Sequence, residues 1–296
     1  MSGISESVVE EACLGWVRSL GYATAFGPEI GPDGPSEERS SWEDVILVGR
    51  LRASVSQINP GLPHLAVDQV VATVLRPESQ NALAENFRLH RLMTEGVAVE
   101  HRVEDGSIRH SLAWLIDFEH PDRNDWLAVN QFTVVEQGKI RRPDVVLFCN
   151  GLPIGLLELK NPGDEHATLK GAWNQIQTYR KDIPAIFVPN VVAVVSDGLG
   201  AAMGSYSAGF EHYAPWKTID GRELVTDRSQ LEVLVRGVFE PARLLDLLRH
   251  FVVFSDSPSR GRASVSPRSR ASRSSCRSPA YARRRRPDDR LPLTRP

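Results

Sequence analysis

The 22 residues "RRPDVVLFCNGLPIGLLELKNP", from Arg141 to Pro162, constrain this chain more than any other stretch. Two apolar runs flank Asn150-Gly151, the pattern of a two-residue hairpin. Yet Asp144, Glu158 and Lys160 sit inside those runs, where burying an unpaired charge is costly. Glu158 and Lys160 are two apart and share a strand face. With a two-residue loop, Asp144 falls opposite Leu157, which turns Glu158 to the other face. The three meet only if a longer loop or a bulge, such as one at Pro153, shifts the register.

If they meet, the residue types suit one kind of chemistry. Two close carboxylates repel and favour a divalent cation, and oxygen ligands with retained waters suit Mg²⁺. Such an ion polarises a phosphodiester and acidifies a bound water. Lys160 beside it can orient or help deprotonate that water and offset charge in the transition state. The alternative is that Asp144 caps the strand after Pro143 while Glu158 and Lys160 pair on a solvated face. Gln175 and Tyr179 follow one helical turn apart and can face the same site, or stand as half-buried core residues. In the first helical segment, Glu10 and Glu11 are candidates for a further metal carboxylate, against a merely solvated face.

Around this hairpin the chain reads as an α/β domain. Apolar periodicity predicts helices over about Ser7–Leu20, Trp42–Ile58, His64–Leu75 and Asn81–Thr94, all ahead of the sheet. "VAVEHRVEDGSIRHSLAWLIDF" reads as a hairpin around Asp-Gly, and "DWLAVNQFTVVEQGKIRRPDVVLF" as two more strands around "EQGK". A helix over "DEHATLKGAWNQIQTYRKDI", a doubly buried strand in "IFVPNVVAVVSDG" and a helix over about Pro241–Val252 complete the pattern.

Composition divides the chain in two. Residues 255–296 hold 12 Arg, no Lys and 3 Asp, a charge of +9, which leaves −11 on the first 254 residues. With 10 Ser and 6 Pro in 42 residues and almost no aliphatic side chains, this tail cannot bury enough apolar area to offset its chain entropy, so disorder is expected. Arg replacing Lys throughout points to a reading-frame change in a GC-rich gene. The "RRRR" run at Arg283–Arg286 can bind phosphates without specificity.

Several classes fall away. The acidic N-terminus has no signal-peptide n-region, and no apolar run is long enough to span a membrane. Three scattered cysteines with no CxxC indicate a reducing cytoplasm rather than zinc or disulfides. There is no P-loop, so "DEH" at Asp164–His166 reads as a helix start rather than a helicase box. "DGLGAAMG" misses the GxGxxG spacing, and no HExxH or GxSxG occurs.

From about Ser5 to Phe254 the chain resembles the N-terminal nuclease region of the restriction (R) subunit of type I restriction–modification enzymes. The resemblance rests on "LGY", "VILVGRL", "VLRPES", "NFRLHRL", "LIDFEHPDRNDWLAVNQFTV", the opening stretch, "NQIQTYRKDIPAIF", "VVSDGLGAAMGS" and "PWKTIDG", in that order. It implies a PD-(D/E)xK core, a mixed central sheet flanked by helices with an N-terminal helical insertion, over residues 1–254. It further implies Mg²⁺-dependent cleavage of double-stranded DNA. By motif position Asp144, Glu158 and Lys160 form the catalytic set, Gln175 and Tyr179 the Q-x-x-x-Y element, and Glu11 the early-helix carboxylate joining Asp144 and Glu158 at the metal. In this family methyltransferase (M) and specificity (S) subunits are partners, and ATP drives a translocase that follows the "HFVVF" position. Here the Arg/Ser/Pro tail stands at that position, so the nuclease is expected without its motor. The other class of function the chain could serve is a noncatalytic docking module of the same complex.

Overall fold

In the computed structural model, the protein is described over residues 6–102, 106–161, 168–255 and 262–265. Helix α1 (Glu6–Ser19) leads into strand β1 (Ala23–Phe26). Helices α2 (Val48–Ile58), α3 (His64–Leu75) and α4 (Ala82–Glu95) follow. Next come β2 (Val97–Arg102), β3 (Ile108–Ala113), β4 (Trp126–Asn130), β5 (Val134–Glu136) and β6 (Lys139–Arg141). Strands β7 (Val145–Cys149) and β8 (Leu152–Leu159) are separated by α5 (Leu169–Asp182) from β9 (Val192–Ser196) and β10 (Ala201–Gly204). Helices α6 (Gln230–Val238) and α7 (Pro241–His250) and strands β11 (Val252–Ser255) and β12 (Arg262–Val265) close the described chain.

Six strands form one mixed sheet in the order β1-β4-β7-β8-β9-β10, and β2-β3, β5-β6 and β11-β12 form separate ribbons. Strand β8 pairs antiparallel with β7 and parallel with β9, so the β8–α5–β9 connection is a crossover. Every residue of β7, β8 and β9 is buried, as expected of strands covered on both faces. One face packs against α1, α2, α3, α4, α6 and α7, through Val145, Leu147, Cys149 and Leu157 among others. The other packs against α5 and the turn at Ile186–Phe187, through Val146, Phe148, Leu156 and Val195.

The helical expectations hold for α1, α3, α4, α5 and α7. Helix α2 begins at Val48 rather than near Trp42. The backbone of the intervening loop is engaged elsewhere: the Trp42 carbonyl accepts from Val135 N, and Leu47 N donates to Gly151 O. Nor do all the early helices precede the sheet, because β1 enters it between α1 and α2, parallel to β4. The tail expectation falls largely outside the described residues, as does Asp164–His166. Where the tail is described, the backbone of Arg262–Val265 pairs with that of Val252–Ser255, which its composition does not forbid. Phe254 itself packs edge-on against Phe87, at 5.0 Å between ring centroids.

Candidate active site

The β7–β8 hairpin turns at Asn150 (φ 53°) and Gly151 (φ 78°), the double left-handed geometry that suits Asn-Gly. This turn is buried. Asn150 Oδ1 accepts from Asp125 N at 2.7 Å, and Nδ2 donates to Leu115 O and Asn124 Oδ1, each at 2.8 Å. From the turn, Cys149 pairs with Leu152 and Phe148 with Pro153, but Leu147 pairs with Gly155. Ile154 is therefore an extra residue, a β-bulge that shifts the register as the meeting of the three side chains requires, one residue beyond Pro153. Face assignments show its effect. Leu152 and Ile154 point to the multi-helix face, and beyond the bulge Leu157 and Leu159 do so instead. The bulge moves the even-numbered residues beyond it to the α5 face, Glu158 and Lys160 with them. On β7, Val145 points to the multi-helix face and pairs with Leu157, so Asp144 comes opposite Glu158 on the α5 side.

Asp144 (7 % exposed) and Glu158 (1 % exposed) are both buried. Asp144 Oδ2 accepts from Leu159 N at 2.6 Å. Glu158 Oε1 accepts from Lys160 Nζ at 2.5 Å. Burial, followed by the negative charge of Glu158, raises Asp144 far above the ordinary carboxylate range. Burial also raises Glu158, although Lys160 and the Tyr179 hydroxyl pull the other way. For Lys160 burial acts downward, but the charge and hydrogen bond of Glu158 outweigh it and keep the ammonium protonated.

From α5, Tyr179 is buried and donates to Arg142 O at 3.4 Å. Its acidity is lowered by burial and by the charges of Glu158 and Asp144, and it interacts with the half-buried Gln175 one turn earlier. Asp144, Glu158, Lys160, Tyr179 and Gln175 thus gather on one side of the sheet. Glu11 does not join them. It is turned to solvent and pairs with Arg18 at 2.9 Å. The buried glutamate of α1 is Glu10, which falls on the same helical stripe as Val9, Cys13, Leu14 and Val17.

Glu6 was not legible as a site residue, yet its charge raises Asp144 and Glu158 and supports protonated Lys160. The available signal was its spacing of four from Glu10, which places both on one side of α1.

The donor set fits a hard divalent cation. Glu158 Oε2 is buried with no hydrogen-bond partner, a costly state for a carboxylate oxygen that a cation would relieve. Among the described residues no group of three or more His, Cys, Asp or Glu side chains forms a closed cage. Two carboxylates that leave most coordination positions to water or substrate oxygens match Mg²⁺ better than Zn²⁺. No described helix is long and apolar enough to cross a membrane.

A family model described as the type I restriction enzyme R protein N terminus matches residues 3–212. The chain is 36 % identical over 256 residues to the type I restriction enzyme HindI endonuclease subunit of Haemophilus influenzae, covering 85 % of this chain and 24 % of that one. It is 30 % identical over 266 residues to a putative type I restriction enzyme MjaIXP endonuclease subunit of Methanocaldococcus jannaschii, covering 83 % of this chain and 25 % of that one. The chain thus spans about a quarter of the length of these curated relatives.

Proposed function

The chain belongs to the family of type I restriction enzyme R protein N termini, and from that premise we propose that it is a Mg²⁺-dependent nuclease module of the PD-(D/E)xK kind that cleaves double-stranded DNA. The observation that carries this reading is the bulge at Ile154, which sets Glu158 and Lys160 on the face of Asp144 and leaves Glu158 Oε2 without a partner.

In this reading Asp144 and Glu158 hold the cation. A cation held by these two carboxylates would supply Lewis acidity at a phosphodiester and make a nearby water more acidic. Leu159 N fixes the Asp144 carboxylate in place. Lys160, held protonated by Glu158, orients the attacking water and offsets negative charge developing on the phosphorus oxygens. Tyr179, buried on α5 and interacting with Glu158, and Gln175, which supports Tyr179, would shield the carboxylate pair from bulk water. The M and S subunits and an ATP-driven motor belong to the larger assembly in this proposal, with sequence recognition delegated to S and motor function to chain beyond this module.

The test uses a full-length R subunit carrying this module, assembled with M and S. Asp144→Ala should abolish DNA cleavage and leave ATP hydrolysis at the wild-type rate, because the carboxylates lie outside any nucleotide site. Wild-type cleavage by that variant would overturn the assignment.

A further inference from the structure

Directly after β4, Gln131 occupies the left-handed region at φ 56°, which non-glycine residues adopt at a cost of about 1–3 kcal/mol unless their surroundings enforce it. The surroundings are visible. Gln131 Nε2 donates to Glu10 Oε1 at 2.7 Å, and Asn130 Nδ2 approaches Glu10 Oε2 at 3.4 Å. Glu10, 7 % exposed, therefore binds the end of β4 to α1 with both carboxylate oxygens. Gly27 closes the other side: a Cβ there would lie 2.3 Å from Gln131 O, so the backbone turn at Gln131 is packed as well as hydrogen-bonded. Held in this turn, Gln131 N donates to Asp144 O at 2.9 Å. Asp144 is thus gripped twice, at its carbonyl by Gln131 and at its carboxylate by Leu159 N.

We propose that Glu10 is a positioning residue that acts through Gln131 on Asp144, fixing the distance between the two carboxylates of the site from α1. Glu10 does not touch the metal in this scheme. Its carboxylate is occupied by two amides, which distinguishes it from Glu158, whose Oε2 is open. The proposal rests on Asp144 and Glu158 acting as a metal pair, but it has a consequence that needs no metal. Loosening Glu10 or the Gln131 side chain should let Asp144 drift, and Leu159 N would lose its acceptor.

Amide hydrogen exchange on the full chain without metal reads this directly. Glu10→Ala should speed exchange at Gln131 and Leu159 by about tenfold while Val194, in the centre of the sheet, keeps wild-type protection. Gln131→Gly accepts the left-handed turn without strain but lacks the side-chain clamp, and it should behave the same way should Glu10→Ala fold poorly. Mn²⁺ titration supplies the second readout: both variants should bind about tenfold more weakly than wild type, as for loss of an outer hydrogen bond to a ligand. Wild-type Leu159 exchange in Gln131→Gly would overturn the relay. Complete loss of Mn²⁺ binding in Glu10→Ala, equal to that of Asp144→Ala, would make Glu10 a ligand and overturn the positioning role.

Discussion

The β2–β3 and β7–β8 hairpins of this molecule use strand register for opposite ends. The β2–β3 ribbon keeps one register from Val97↔Ala113 to Arg102↔Ile108. Its alternation is intact: Val97, Val99 and Ala113 face the core, and Glu100 and His110 meet on the exposed side at 3.1 Å. The β7–β8 hairpin breaks register once, at Ile154, and thereby places two carboxylates face to face inside the protein. A regular hairpin preserves the polarity of its two faces. A bulged one can transfer a charge from the face where the pattern would put it to the face where it is used.

The largest way to break this contrast is to undo the register. Deleting Val146 from β7 removes one step between the bulge and Asp144 and returns Asp144 to a position opposite Leu157. Asp144 would then point into the multi-helix core. Loss of cooperative folding, or a cost above about 4 kcal/mol in urea denaturation, is expected from burying an unpaired charge. A variant of near wild-type stability that still binds Mn²⁺ would show that the bulge does not set the faces.

The two turn glycines sharpen the same comparison at smaller scale. Both have positive φ, 78° at Gly151 and 81° at Gly106. A Cβ at Gly151 would lie 2.4 Å from Leu47 O, whereas at Gly106 it would meet nothing within 4 Å. Gly106→Ala should cost about 1 kcal/mol, from backbone strain alone. Gly151→Ala should cost about 3 kcal/mol, since the α2 N-terminus must also move away. Equal shifts in melting temperature for the two would mean that the buried turn is not held against Leu47.

The smallest effect has an unusual sign. Folding raises the pKa of both Asp144 and Glu158, so between the ordinary carboxylate range near about pH 4 and those raised values the folded state binds more protons than the unfolded chain. Stability of the metal-free protein should therefore fall as pH rises through that window. Asp144→Asn removes the repulsion and should stabilise the metal-free protein at pH 8 by about 1 kcal/mol, with a shallower pH dependence in thermal melts. A destabilised Asp144→Asn protein would mean that Asp144 is held as a satisfied anion.

Much of this was legible in the sequence, and the gaps have physical causes. The Asn150-Gly151 turn, the buried β9 and the periodicity of α3 are strong local signals. The bulge was required by arithmetic but not locatable, because any β8 residue could have been the extra one until the packing of Ile154 and Leu157 was seen. Strands β1 ("ATAF") and β10 ("AAMG") carry too few large apolar residues to stand out, and β1 pairs with β4, far along the sequence. The choice between Glu10 and Glu11 was readable in principle: Glu10 shares its stripe with Cys13, Leu14 and Val17, while Glu11 aligns with Arg18, its solvent partner. Glu6 offered only its spacing of four from Glu10, and Gln131 is placed beside Asp144 by tertiary contacts alone.

Isothermal titration of Mn²⁺ into the wild-type chain and into Glu158→Ala addresses the paired carboxylates most directly. Wild type should bind one ion saturably, and Glu158→Ala should show no saturable binding at the same concentrations, since one of the two facing carboxylates is gone. Equal binding by the two proteins would place the ion elsewhere and contradict the role assigned to the bulged hairpin.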